Sequence, residues 1–123
     1  MALDKRTIEA WLRMHVVENN SDKEPAEFWA YEIVDDLVRH GEAREALEAI
    51  FHIAQTSRTE PQRANLGAGH LEDLLVYKGS EVIDRVEELA RQNEKFKDTL
   101  NNVWKNDISD EVWGRIQKAL GRA

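Results

Sequence analysis

The sequence predicts an all-α fold, and three observations carry that expectation. Apolar residues recur at helical spacing along most of the 123 residues. No segment alternates apolar and polar residues for long enough to make a convincing strand. Gly and Pro are scarce, at 6 and 2, which suits helices better than a turn-rich β fold. The expected architecture is about six or seven short helices packed as antiparallel helical hairpins, with a short HEAT-like solenoid as a variant of it. Residues 1–123 read as a single α-helical domain.

The first helix is expected from about Asp4 to Glu18, with Ile8, Leu12 and Val16 on one face and Trp11 beside them. Asn19, Asn20, Ser21 and Asp22 break the pattern. Pro25 opens a second helix, about 25–40, because a first turn needs no amide donor. That helix buries Phe28 or Trp29, Ile33 and Leu37, and His40-Gly41 ends it with a glycine and a cation-capable side chain. A third helix covers about 42–55, where Ala43, Ala46, Leu47, Ile50 and Ile53 or Ala54 keep the helical period.

Residues 55–59 read as a loop, and Thr59 caps a short helix through Pro61 to Leu66. Gly67-Ala68-Gly69 then kinks that helix or separates it from the next, over residues 70–77, which Lys78-Gly79 ends. Ser80 is the N-cap of a helix over about 81–92, buried through Val82, Ile83, Val86, Leu89 and Ala90. A further helix over about 94–104 offers Phe96, Leu100, Val103 and Trp104. Ser109 caps the last helix, with Asp110 and Glu111 in its first turn; Val112, Trp113, Ile116 and Leu120 bury it, and Gly121 ends it.

Composition narrows the chemistry. With no cysteine, disulfides, thiolate zinc sites, iron–sulfur clusters and a Cys nucleophile are excluded. The start of the chain has no apolar signal core, no run approaches the ~18 apolar residues of a membrane span, and no lipidation motif appears. A cytoplasmic protein is the expectation. The net charge of −7 is uneven: residues 1–54 hold 12 acids against 6 bases, and residues 55–123 hold 12 against 11. An anionic surface repels nucleic acid, and Arg115, Lys118 and Arg122 of the last helix are too few to reverse that.

The stretch Gly67-Ala68-Gly69-His70-Leu71-Glu72-Asp73-Leu74-Leu75 is the most informative in the chain. A glycine inside a helix costs ~1 kcal/mol relative to alanine, so two within three positions point to a demand on the backbone. The first reading is close helix packing, with Gly69, and Gly67 with it, facing another helix. The second is anion binding by exposed amides, which Glu72 and Asp73 would oppose. In the third, Glu72 and Asp73 face a partner or a cation. Neither GxxxxGK[ST] nor GxGxxG is present.

The histidines, His15, His40, His52 and His70, lack HExxH spacing and read as surface or capping residues. His70 and Asp73 stand three apart on one helical face, but two ligands do not make a metal site. Glu32, Asp35, Asp36, Glu42, Glu45 and Glu48 load the second and third helices with acid; without an ExxH partner they read as a solvated face rather than a di-iron cage. Ser21, Ser57, Ser80 and Ser109 fit loops or caps, and no GxSxG elbow appears. Trp11, Trp29, Trp104 and Trp113 fall near apolar stripes and read as core, with one of them a candidate interface anchor.

The glycine element resembles a signature, GAGxLEDLL, of a family of small uncharacterised bacterial α-helical proteins. Gly67-Ala68-Gly69 and Leu71-Glu72-Asp73-Leu74-Leu75 carry the resemblance, and Gly79, Ile83, Ala90-Arg91, Phe96 and Trp104 extend it over residues of about 45–115. Such relatives are expected to have proline where this chain has His70, which sets this histidine apart from any shared role. The resemblance implies a fold and no activity.

The expected function is a non-enzymatic protein-interaction module, loosely analogous to bacterial adaptor or immunity proteins. Its contact surface is Glu32, Asp35, Asp36, Glu42, Glu45 and Glu48, its partner is a basic protein, and homo-oligomers are compatible with it. No catalytic residue, metal ligand set or cofactor is assigned. The alternative is a metal-binding protein or enzyme using His70, Glu72 and Asp73.

Overall fold

A computed structural model describes residues 3–14 and 27–122. They form helices α1 (Lys5–Met14), α2 (Phe28–His40), α3 (Ala43–Thr56), α4 (Glu60–Leu66), α5 (Glu72–Gln92), α6 (Glu94–Leu100) and α7 (Asp110–Ala119), with a π-helical turn, Gly67–Leu71, between α4 and α5. No strand occurs among the described residues, so the fold is all-α. No helix among them is long and apolar enough to cross a membrane. The expectations at Val16, Asn19, Pro25 and His15 lie outside the described residues.

The core is a continuous apolar cluster running from Ile8 in α1 to Ile116 in α7. Helix α5 is its organising element and packs against α2, α3, α6 and α7. Each helix contributes the stripe that its period dictates: Ala30, Val34 and Val38 from α2, Ala46, Leu47, Ile50, Ile53 and Ala54 from α3, and Val82, Ile83, Val86 and Leu89 from α5. Fully burying one Leu or Ile side chain stabilises by about 1.5–3 kcal/mol, so these stripes dominate the fold.

Local signals set the boundaries. Thr59 and Gln62 form a reciprocal capping box on α4, with Pro61 in its first turn. The Ser109 hydroxyl accepts from the Val112 amide (3.3 Å) and starts α7. Gly41 closes α2, its amide donating to the Leu37 carbonyl at 2.9 Å.

Some elements differ from the sequence reading. The end expected at Lys78-Gly79 is present as a kink: Lys78 is non-helical (φ −139°, ψ 25°), and α5 consists of two helical segments joined across it. The break frees the Lys78 ammonium to donate to the Gly41 carbonyl (2.5 Å) at the negative end of α2. Gly79 lets α7 close in, since a Cβ there would stand 3.1 Å from Val112 Cγ1. Ser80 lies two residues past that kink. Helix α6 stops at Leu100 instead of about 104, at the Asn101-Asn102 turn. Ile33 does not join the core of α2 and is 41% exposed, because Ala30, Val34 and Val38 take the inward positions.

Candidate functional site

The glycine element stands between α4 and α5, the second of the two arrangements expected, and joins them through a π turn rather than a loop. It widens the helix for one turn: the Glu72 amide reaches back five residues to the Gly67 carbonyl, the hydrogen bond of a π-helix. Such turns are uncommon and occur often at functional sites. Here the turn has two working sides.

One side receives α6. A Cβ at Gly67 would collide with the Thr99 backbone carbonyl and lie 3.0 Å from Asn102 Cβ. Only a glycine admits that backbone so closely. Gly69, by contrast, has nothing within 4 Å of the same constructed atom. The packing role expected of Gly69 thus belongs to Gly67 alone. Glu72 completes this side. Its Oε1 accepts from the Trp104 amide (3.0 Å) and its Oε2 from the Asn106 side-chain amide (2.7 Å). Leu71, Leu74 and Leu75, the leucines of the motif, are buried.

The loop held by Glu72 presents an exposed tryptophan. Val103 and Ile108 are buried at either end of it, while Trp104 is 70% exposed. Asn106 takes a left-handed conformation (φ 37°), which Asn tolerates better than most residues. Trp104 is therefore not core, contrary to the sequence reading; Val103 takes the inward place once α6 ends at Leu100.

The other side holds a buried polar cluster. His70 is fully buried, not a surface or capping residue. Its Nε2 accepts from the Trp11 indole N–H at 3.0 Å, and Trp11 is also fully buried. That acceptor role assigns the imidazole proton to Nδ1. The Tyr31 ring lies against the imidazole, with centroids 4.5 Å apart. Gln62, also buried, donates to the Leu12 carbonyl at 3.1 Å, so two buried polar side chains secure α1.

A signal for His70 was present in the sequence. It stands four residues after Leu66 and four before Leu74, on the stripe that Gly67, Leu71 and Leu75 widen.

Asp73 opens onto a charged patch between α2 and α5. Burial raises its carboxyl above the ordinary carboxylate value, and the charges of Asp35 and Glu72 add to that; Arg39 works in the opposite direction. Tyr31 is likewise raised, by burial first and then by Asp35 and Asp73. Arg39 bonds Asp35 (3.0 Å) and lies over the Tyr77 ring, 5.6 Å from its centroid. Among the described residues no group of three or more His, Asp and Glu side chains is placed to hold a metal ion.

The acidic residues of α2 and α3 are not one uniform face. Asp35 is committed to Arg39 (3.0 Å) and Glu48 to Arg85 (3.3 Å). Glu32, Asp36 and Glu42 are exposed. On the helical wheel of α2, Glu32 and Asp36 lie on the same side of Ile33, away from the inward Ala30, Val34 and Val38, with Trp29 one turn before Ile33 and the Arg6 guanidinium 4.9 Å over the Trp29 ring.

Fold and site together define an all-α protein built on a π turn, with a docked loop on one side and a buried Trp–His pair on the other. The chain belongs to the family of unknown function DUF6869, which matches residues 16–123. That match extends beyond the stretch that carries the sequence resemblance and begins after the last residue of α1. No curated protein and no solved structure matches the chain.

Proposed function

We propose that this protein is a non-enzymatic protein-interaction module that receives a basic partner on the outer face of α2 and the adjoining start of α3. The loose analogy remains with bacterial adaptor or immunity proteins. The observation that carries the reading is Ile33, 41% exposed at the edge of the buried stripe and bordered on its outer side by the exposed acids Glu32 and Asp36. An exposed apolar side chain next to carboxylates suits a partner that offers both an apolar and a basic contact. Glu42 continues the acid rim beyond Gly41. Asp35 and Glu48, held by arginines of the same chain, contribute field rather than direct contact.

A metal or catalytic role at residues 70–73 has less support. The Nε2 lone pair of His70 is taken by Trp11, and both Glu72 oxygens are taken by the α6–α7 loop.

The test compares wild-type protein with the Glu32→Lys/Asp36→Lys variant in capture from the source cell, read by mass spectrometry. Circular dichroism verifies that both fold. Basic proteins retained by the wild type, lost on charge reversal and released by added salt support the reading. Identical capture by both proteins overturns it. So does stoichiometric zinc binding in a calorimetric titration that disappears in His70→Ala.

A further inference from the structure

The α6–α7 loop has the properties of a prepared binding element. Trp104 is 70% exposed, yet the backbone that carries it is fixed at several points. Buried Val103 and Ile108 anchor its two sides. The Glu72 carboxylate takes the Trp104 amide and the Asn106 side chain (3.0 and 2.7 Å). The Ile108 amide closes a turn onto the Lys105 carbonyl at 2.7 Å, and the Lys105 ammonium returns to the Ile108 carbonyl (3.3 Å) and to Asp110 (2.9 Å).

Exposing a large indole forfeits its burial free energy, and the fold does so here on a loop with an apolar residue already buried on either side. Tryptophan is the residue most enriched among interface anchors. Holding the loop still before binding removes part of the ordering cost of association.

The charges around Trp104 select the occupant. Glu72, Asp107, Asp110 and Glu111 stand against Lys105, and Asp107, Asp110 and Glu111 are exposed. A second copy of this chain, with its own charge of −7, is disfavoured at such a surface. Nucleic acid and anionic lipid are disfavoured for the same reason. A guanidinium, in contrast, is attracted both to the face of an indole and to the carboxylates around it.

We propose that the α6–α7 loop is a second docking surface, on which Trp104 receives an arginine side chain from a basic segment of a partner protein. Glu72 is the positioning residue that holds Trp104 ready. The proposal shares with the reading of α2 only the basic character of the partner, and the two surfaces fail separately.

The test uses the full chain and a fluorescently labelled peptide of alternating arginine and glycine, followed by anisotropy at about 0.15 M salt, where screening confines charge effects to about 8 Å. The wild type should bind. Trp104→Ala should weaken binding by roughly tenfold or more, the loss typical of a truncated aromatic anchor. Trp104→Phe, which keeps an aromatic face, should retain most of the affinity. Asp107→Lys/Glu111→Lys should weaken binding more than Glu32→Lys/Asp36→Lys, which changes the net charge of the chain by the same amount away from the loop. Glu72→Ala should weaken binding and speed hydrogen exchange at the Trp104 amide, whereas a merely supportive Glu72 would change exchange alone.

Absence of binding to the wild type overturns the proposal, as does an undiminished affinity in Trp104→Ala. Loss in Glu32→Lys/Asp36→Lys with retention in Trp104→Ala also overturns it, while sustaining the α2 surface. Tighter association with neutral phosphatidylcholine vesicles than with the peptide would assign Trp104 to a membrane interface and overturn the proposal as well.

Discussion

Alanine at Gly67 and alanine at Gly69 should move stability in opposite directions. Both residues lie in the same π turn, two positions apart. Gly67 has ordinary right-handed helical angles (φ −66°, ψ −50°), so the backbone itself would welcome alanine and gain about 1 kcal/mol. The new methyl group, however, would press on the Thr99 carbonyl and on Asn102 Cβ. That carbonyl belongs to backbone, and it also accepts the Asn102 amide (3.1 Å), so no side-chain rotation relieves the clash. Overpacking of this kind costs about 1–3 kcal/mol and outweighs the backbone gain. Gly67→Ala should therefore destabilise by about 1–2 kcal/mol. At Gly69 the same methyl group meets nothing within 4 Å, and the variant should be more stable by about 0.5–1 kcal/mol. With a urea m-value of about 1–1.5 kcal/mol per molar, the two midpoints should differ by about 2 M in equilibrium unfolding. Shifts of the same sign, or a Gly67→Ala midpoint at or above the wild-type one, would refute the packing argument.

Two further outcomes follow from the other side of the π turn. Asp73 holds its proton more tightly in the folded chain than in the unfolded one, because burial raises its carboxyl. Stability from this group is then fully present at acid pH and is lost as pH rises from the ordinary aspartate value through the raised one. Asp73→Asn should accordingly gain in melting temperature relative to wild type as the pH is taken from about 3 to 7, and a constant difference across that range would contradict the assignment. Trp11→Phe and His70→Leu should each destabilise, and a double-mutant cycle should return a coupling of about 1 kcal/mol, the net value of one buried hydrogen bond. Strict additivity would show that the two rings merely pack.

Helix caps were legible in the sequence because they are local. Thr59 with Gln62, Ser109 and Gly41 all act within four residues of themselves. The π turn was not legible, because its extra residue is stabilised by what approaches from outside, the Thr99 carbonyl at Gly67. His70 was misread through its residue type: a polar name at position 70 obscured an apolar phase shared with Leu66 and Leu74. Trp104 and Ile33 were misread in the opposite sense, as large apolar side chains assigned inward. In α2, small residues already fill the inward positions; after α6, the chain turns before Trp104 can follow the stripe. Glu72 was singled out in the sequence for its charge, but its service as an acceptor for a loop about thirty residues away depends on tertiary structure that no spacing encodes.

Helix α1 makes the limits of descent and the limits of folding differ. The family match begins at residue 16, yet Trp11 and Leu12 are as deeply buried as any residue of the matched segment. A polypeptide trimmed to the matched residues would open a cavity the size of an indole and turn His70 and Gln62, two groups selected for a dry interior, toward water.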